Sequence, residues 1–121
     1  MKILLVDDSK AMRMILKRAL RQAGFGAHDV VEAGDGAEGL EQVRAQHPDV
    51  VLSDWNMPVM TGIEFLRALR AEDPRTPFGF VTSEATDEHR AEARDAGAGF
   101  FVTKPFKPEV IQAALGPVLG G

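Results

Sequence analysis

The chain of 121 residues has no cysteine, three histidines and a single tryptophan. Without cysteine there are no disulfides, no thiol nucleophile and no thiolate-bound zinc. That absence also fits a reducing compartment, and the chain reads as cytoplasmic. His28, His47 and His89 lie in separate segments, so they read as surface or packing residues and not as a metal triad. No apolar run approaches the ~20 residues that a membrane span requires. The opening Met1-Lys2-Ile3-Leu4-Leu5-Val6 is too short for a signal peptide and runs into two aspartates, so it reads as a strand. Positive charge is not in excess either. The net charge of -4 argues against nucleic acid or an anionic membrane as partner. Linkers, repeats and low-complexity segments are missing, and one domain spanning 1–121 is expected, monomeric, with no room for a separate output domain.

The pattern that is present changes period again and again. Ile3-Leu4-Leu5-Val6 is apolar without alternation, as in a strand covered on both faces. After Ser9, a possible cap, Met12, Ile15, Leu16, Ala19, Leu20 and Ala23 fall on one helical face. Arg13, Lys17, Arg18 and Arg21 fall mostly on the other, and Gly24-Phe25-Gly26 ends the helix. His28–Ala33 is a second, more polar strand, nearer an edge, and Ala37–Gln46 a second helix stopped by Pro48. Val50-Val51-Leu52-Ser53 is a buried strand leading straight to Asp54 and the turn of Asn56 and Pro58. Thr61-Gly62 opens a third helix, Phe78–Val81 is a fourth strand, and Thr86–Ala96 a very polar fourth helix. Phe100–Val102 is a fifth strand, and Pro108 opens a fifth helix that Pro117 should end or kink. Five strands alternating with five helices predict a (βα)5 α/β fold with a doubly wound parallel sheet.

Four of these strands end in something polar: Asp7-Asp8, Asp54, Thr82-Ser83 and Lys104. Taken singly, these are ordinary. An aspartate pair is often a solvated loop or a helix N-terminal charge pair, Thr-Ser a turn, a lysine a surface charge. In a parallel sheet they share one edge, the edge where α/β ligands bind. Three carboxylates at ~4 Å repel by roughly 1 kcal/mol per pair in water and about 4 at an effective dielectric of 20. A cation relieves that repulsion, and oxygen donors without His or Cys favour Mg²⁺. A threonine hydroxyl and a lysine ammonium suit phosphoryl oxygens, and a carboxylate can itself be the nucleophile. The residues therefore point to Mg²⁺-dependent phosphorylation of Asp54.

Val6-Asp7-Asp8-Ser9, Ser53-Asp54-Trp55-Asn56-Met57-Pro58, Val81-Thr82 and Lys104-Pro105-Phe106 together resemble the receiver domain of two-component response regulators. The Asp-Trp-Asn-Met-Pro run and the length are similar to the single-domain chemotaxis type, CheY. This resemblance covers essentially the whole chain. It implies the flavodoxin-like strand order 2-1-3-4-5. It further implies that Asp54 takes a phosphoryl group from the phosphohistidine of a histidine kinase. Mg²⁺ would be held by Asp8, Asp54 and the backbone carbonyl of Asn56, with Asp7 acting through water. Thr82 and Lys104 would bind the phosphoryl oxygens, and Thr82 and Phe101 would form the switch. Asn56 and Glu84 hold the positions that tune hydrolysis, with a phosphatase as a possible further partner. A downstream protein would bind the face of the fourth helix, fifth strand and fifth helix. The CheY type usually carries Tyr where this chain has Phe101, so the switch must work by packing without a ring hydroxyl. The resemblance also implies a cis Lys104-Pro105 peptide, which base rates alone would make trans.

Other readings use the same residues differently. A phosphate sink or relay intermediate would share this chemistry. A phosphatase of the haloacid-dehalogenase kind would need a second aspartate two residues after the nucleophile, where Asn56 stands. Gly34-Asp35-Gly36-Ala37-Glu38-Gly39 matches a dinucleotide fingerprint, but Asp35 and Glu38 would set carboxylates against the pyrophosphate, so its glycines read as turn residues. Trp55 is expected to be a half-exposed packing residue.

Overall fold

The computed structural model describes residues 1–119. The elements alternate as β1 (Lys2–Val6), α1 (Lys10–Gln22), β2 (Asp29–Ala33), α2 (Gly36–Gln46), β3 (Val50–Ser53), α3 (Gly62–Glu72), β4 (Phe78–Thr82), α4 (Asp87–Ala96), β5 (Phe100–Thr103) and α5 (Pro108–Leu119). All strand pairs are parallel, in the order β2-β1-β3-β4-β5. This is the expected doubly wound fold, with the polar β2 at one edge.

Successive strand residues face opposite layers. Ile3, Leu5, Val50 and Leu52 pack with Leu16, Leu20, Ile111 and Leu115 of α1 and α5. Leu4, Val6 and Val51 pack with Leu40 of α2 and with Phe65, Leu66 and Leu69 of α3. Phe78 and Phe80 on β4 extend that second layer and are fully buried. Each such side chain contributes roughly 1.5–3 kcal/mol of burial. The helices begin on side-chain caps: Ser9 for α1, Asp35 for α2, Thr61 with Glu64 in a reciprocal box for α3, and Thr86 for α4.

Three expectations need correction. Ile15 does not join the inward face of α1; it is 52% exposed, because the buried stripe runs one residue on, through Leu16, Ala19 and Leu20. Arg13, expected on the solvent side, instead points at the ends of β1 and β2. Pro117 does not end α5, which continues to Leu119. Leu119 packs with Ile111 and Leu115, and that burial holds the last turn across the one backbone bond that proline cannot donate.

The loop from β3 to α3 contains one unfavourable backbone. Val59 has φ of 69°, and the amide of Met60 donates to the carbonyl of Pro58 at 2.7 Å. This is a γ-turn of the rare positive-φ kind around a β-branched residue. Val59 is 84% exposed, so its side chain returns little burial for that strain. Val59→Asn should raise stability by about 1 kcal/mol, or roughly 3–5 °C in melting temperature. An unchanged or lower melting temperature would show that the turn is not strained.

Candidate functional site

Because the sheet is parallel and the strands are in register, the carboxyl ends of β1, β3, β4 and β5 stand side by side: Val6 pairs with Ser53, Ser53 with Phe80, and Thr82 with Thr103. Residues at or within two positions of each strand end then share the same edge. Asp7, Asp8 and Asp54 bring one carboxylate oxygen each to within 4.8 Å of one another. Their surroundings differ. Asp7 is buried, Asp54 is mostly covered, and Asp8 is open to solvent.

Lys104 is the cation at this edge. Its Nζ donates to Oδ2 of Asp7 at 2.8 Å and to Oδ2 of Asp54 at 3.2 Å. The other oxygens are held by backbone. Asp7 Oδ1 accepts from the Ser9 amide at 2.9 Å, and Asp54 Oδ1 from the Trp55 amide at 2.7 Å. Lys104-Pro105 is cis. The Lys104 amide donates to the Thr82 carbonyl at 2.9 Å, which ties the ends of β4 and β5 together just before the lysine side chain departs.

The backbone under Asp54 is equally constrained. Its amide donates to the Val6 carbonyl, the Ser53 hydroxyl donates to its carbonyl, and the Gly62 amide donates to the Trp55 carbonyl. A side chain at Gly62 would begin 2.1 Å from the Asp54 carbonyl oxygen, so only glycine lets α3 start this close. On the other side of the acids, the Thr82 hydroxyl accepts from the Glu84 amide at 3.1 Å. Asn56 Nδ2 donates to Glu84 Oε1 at 2.6 Å, joining the β3–α3 and β4–α4 loops.

Phe101, on β5, lies 5.9 Å from Phe80 between ring centroids. It is thus near the edge but linked to it only through packing. Trp55 is not half-exposed as expected. It is 7% exposed, packed against the tilted ring of Phe80 at 4.7 Å and edge-on to His89 at 4.8 Å. A polar turn surrounds it in sequence, and the two rings that bury it come from β4 and α4.

Two further groups take part that sequence reasoning passed over. Arg13 donates from Nε to Glu32 on β2 and from Nη1 to the carbonyl of Asp7, and so braces the strand end that carries the acids. Lys17 first, and Arg13 after it, hold the Glu32 carboxyl below the ordinary carboxylate range against its partial burial. Arg90 sits over Phe101. Neither contact has a local signature, since the partners are 19 and 11 residues away on other elements. At the glycine-rich turn, Asp35 caps the α2 amides and Glu38 accepts from the Gly34 amide, so the chain's own carboxylates fill the place a pyrophosphate would need.

The donor set fits a small hard cation: three carboxylates, one of them deeply buried, with no nitrogen or sulfur ligand among them. The same set with a fixed ammonium can hold a phosphoryl group.

Comparison with known proteins gives a consistent answer. Residues 3–116 match the response regulator receiver domain family. Chemotaxis protein CheY of Pseudomonas aeruginosa is 43% identical over 117 residues, 95% of this chain and 93% of that protein. The solved structure of Vibrio cholerae chemotaxis protein CheY4 is 39% identical, with TM-score 0.85 and 97% of each chain covered. The receiver domain of a Pseudomonas aeruginosa sensor histidine kinase, solved with a magnesium ion coordinated in its active-site cleft, is 29% identical, with TM-score 0.86 over 99% of this chain and 98% of that one.

The geometry ranks the acids. Lys104→Met leaves Asp7 buried without its cation and should lower stability in metal-free buffer by about 2 kcal/mol. Asp8→Ala removes the charge that Lys104 does not touch and should raise the metal-free melting temperature, by about 3–5 °C for roughly 1 kcal/mol. Asp54→Asn, which also weakens the Lys104 pair, should raise it less. Denaturant titration and calorimetry of the three variants check this ranking; a destabilised Asp8→Ala would refute stored repulsion.

Proposed function

The chain belongs to the response regulator receiver domain family, of the CheY type, and from that premise we propose that Asp54 is its phosphoacceptor. The carrying observation is the Lys104 ammonium set between Asp54 and Asp7, with Asp8 in the same cluster. A fixed positive charge lies beside the oxygen that would attack. An Asp54 carboxylate oxygen bonds to the phosphorus of a kinase phosphohistidine, and the P–N bond breaks with its electron pair returning to the imidazole. The product is an acyl phosphate on Asp54, lost later by attack of water.

Mg²⁺ would be held by Asp8, Asp54 and the carbonyl of Asn56, with Asp7 acting through water, and when bound it neutralises charge on the phosphoryl oxygens. Thr82 donates its hydroxyl to a phosphoryl oxygen, and Lys104 donates its ammonium to another. The Thr82 oxygen accepts from the Glu84 amide, which leaves its hydroxyl hydrogen free to donate. Asn56 and Glu84, joined at 2.6 Å, set how readily water reaches the phosphorus.

The output is a change in binding. The movement of Thr82 and a reorientation of Phe101 shift the face of α4, β5 and α5 between two states, and phosphate contacts favour one of them. We read the chain as a receiver domain in the cytoplasm, phosphorylated by a histidine kinase and binding a downstream protein, as in chemotaxis. Beryllofluoride with Mg²⁺ should change Trp55 emission, since the indole follows Asp54 directly and packs on β4 and α4. Asp54→Asn should abolish the change; its persistence would place the acceptor elsewhere. A partner whose affinity rises with beryllofluoride would separate a binding switch from a phosphate sink.

A further inference from the structure

Among the helices, α4 is held to the sheet in an unusual way. Ala93 is its one buried side chain, where α3 buries Ile63, Phe65, Leu66 and Leu69. Ala96 and the edge of His89 on Trp55 add partial packing, and the rest of its attachment is polar: Arg67 to Glu92 from α3, Arg70 to the Gly97 carbonyl, and Arg90 to β5.

The Arg90 contact has two points. Its guanidinium carbon lies 4.7 Å from the centroid of the Phe101 ring, and Nη2 donates to the Thr103 hydroxyl at 2.8 Å. A flat cation tied at one end and laid on a ring at the other has little freedom. Phe101 carries no hydroxyl, so it has no polar group of its own to fix its orientation. The ring neighbours both Phe80, at 5.9 Å between centroids, and Arg90. Phe80 in turn packs at a tilt against Trp55, the residue after Asp54. A continuous line of contact thus runs from the acid edge to α4: Trp55, Phe80, Phe101, Arg90.

We infer that Arg90 is a positioning residue that latches Phe101 in its observed orientation and couples that orientation to α4. This rests on the reading that Phe101 reorients when Asp54 carries a phosphoryl group. The latch does by cation–π contact and a bond to Thr103 what a ring hydroxyl would do by hydrogen bonding. Reorientation of the ring breaks the contact and frees Arg90 and the loosely anchored helix together.

The test is fluorine NMR of protein containing 4-fluorophenylalanine, with the Phe101 resonance assigned by its loss in Phe101→Leu. Arg90→Ala should move or broaden that resonance with no phosphoryl analogue present. Thr103→Val, which keeps the core and removes only the anchoring hydroxyl, should do the same to a smaller degree. Arg94→Ala, which removes a neighbouring charge on α4, should leave it unchanged. In a beryllofluoride titration at fixed Mg²⁺ followed by Trp55 emission, Arg90→Ala should lower the midpoint about two- to fivefold, the size of an exposed cation–π contact. A Phe101 resonance identical in Arg90→Ala and wild type, or shifted equally by Arg94→Ala, would overturn the latch. A wild type whose Trp55 ignores beryllofluoride would instead overturn the phosphoacceptor reading, and the fluorine resonance would still decide the latch.

Discussion

One ammonium group makes the carboxyl edge of this sheet tolerable. Asp7 is buried at the end of a central strand, where a carboxylate without a cation is strongly disfavoured. Lys104 reaches it from a residue 97 positions later in the chain. The same nitrogen also touches Asp54, so the last strand supports the acids of the first and the third at once. Two local features place that nitrogen: the Lys104 amide on the Thr82 carbonyl and the register of β4 with β5. Asp8 is left outside this arrangement, open to solvent. The edge is thus balanced for two of its three acids and overcharged for the third.

The fold was legible because its signals are local. Apolar runs of four or five, bounded by glycine, proline and capping residues, gave the elements to within a residue or two. The polar edge position of β2 followed from its composition. The gathering of Asp7, Asp8 and Asp54 was legible for a topological reason: parallel strands all end on one side. Its chemistry needed only the identity of the next residue.

What stayed hidden depends on rotation and on distant partners. Ile15 and Leu16 differ by one position and by about 100° around the helix, enough to expose one and bury the other. Arg13 looked like a surface charge until Glu32 and the Asp7 carbonyl were placed above it. Trp55 lies in a polar turn, and nothing near it predicts that Phe80 and His89 close over it. Pro117 is expected to end or kink α5, and the ending is overridden where Leu119 is buried beyond it. Each miss is a case where tertiary packing outweighs a propensity.

The thin attachment of α4 has a consequence for how the molecule breathes. A helix fixed by one buried alanine, partial packing and a few rim contacts opens at a small fraction of the global unfolding free energy, while α3, seated on four buried side chains, stays closed. Its amides should therefore trade hydrogen with solvent before those of the neighbouring helix. The sheet and α3 form the frame, and α4 is a separately exchanging unit hung upon it, able to be reset many times without putting the rest of the fold at risk.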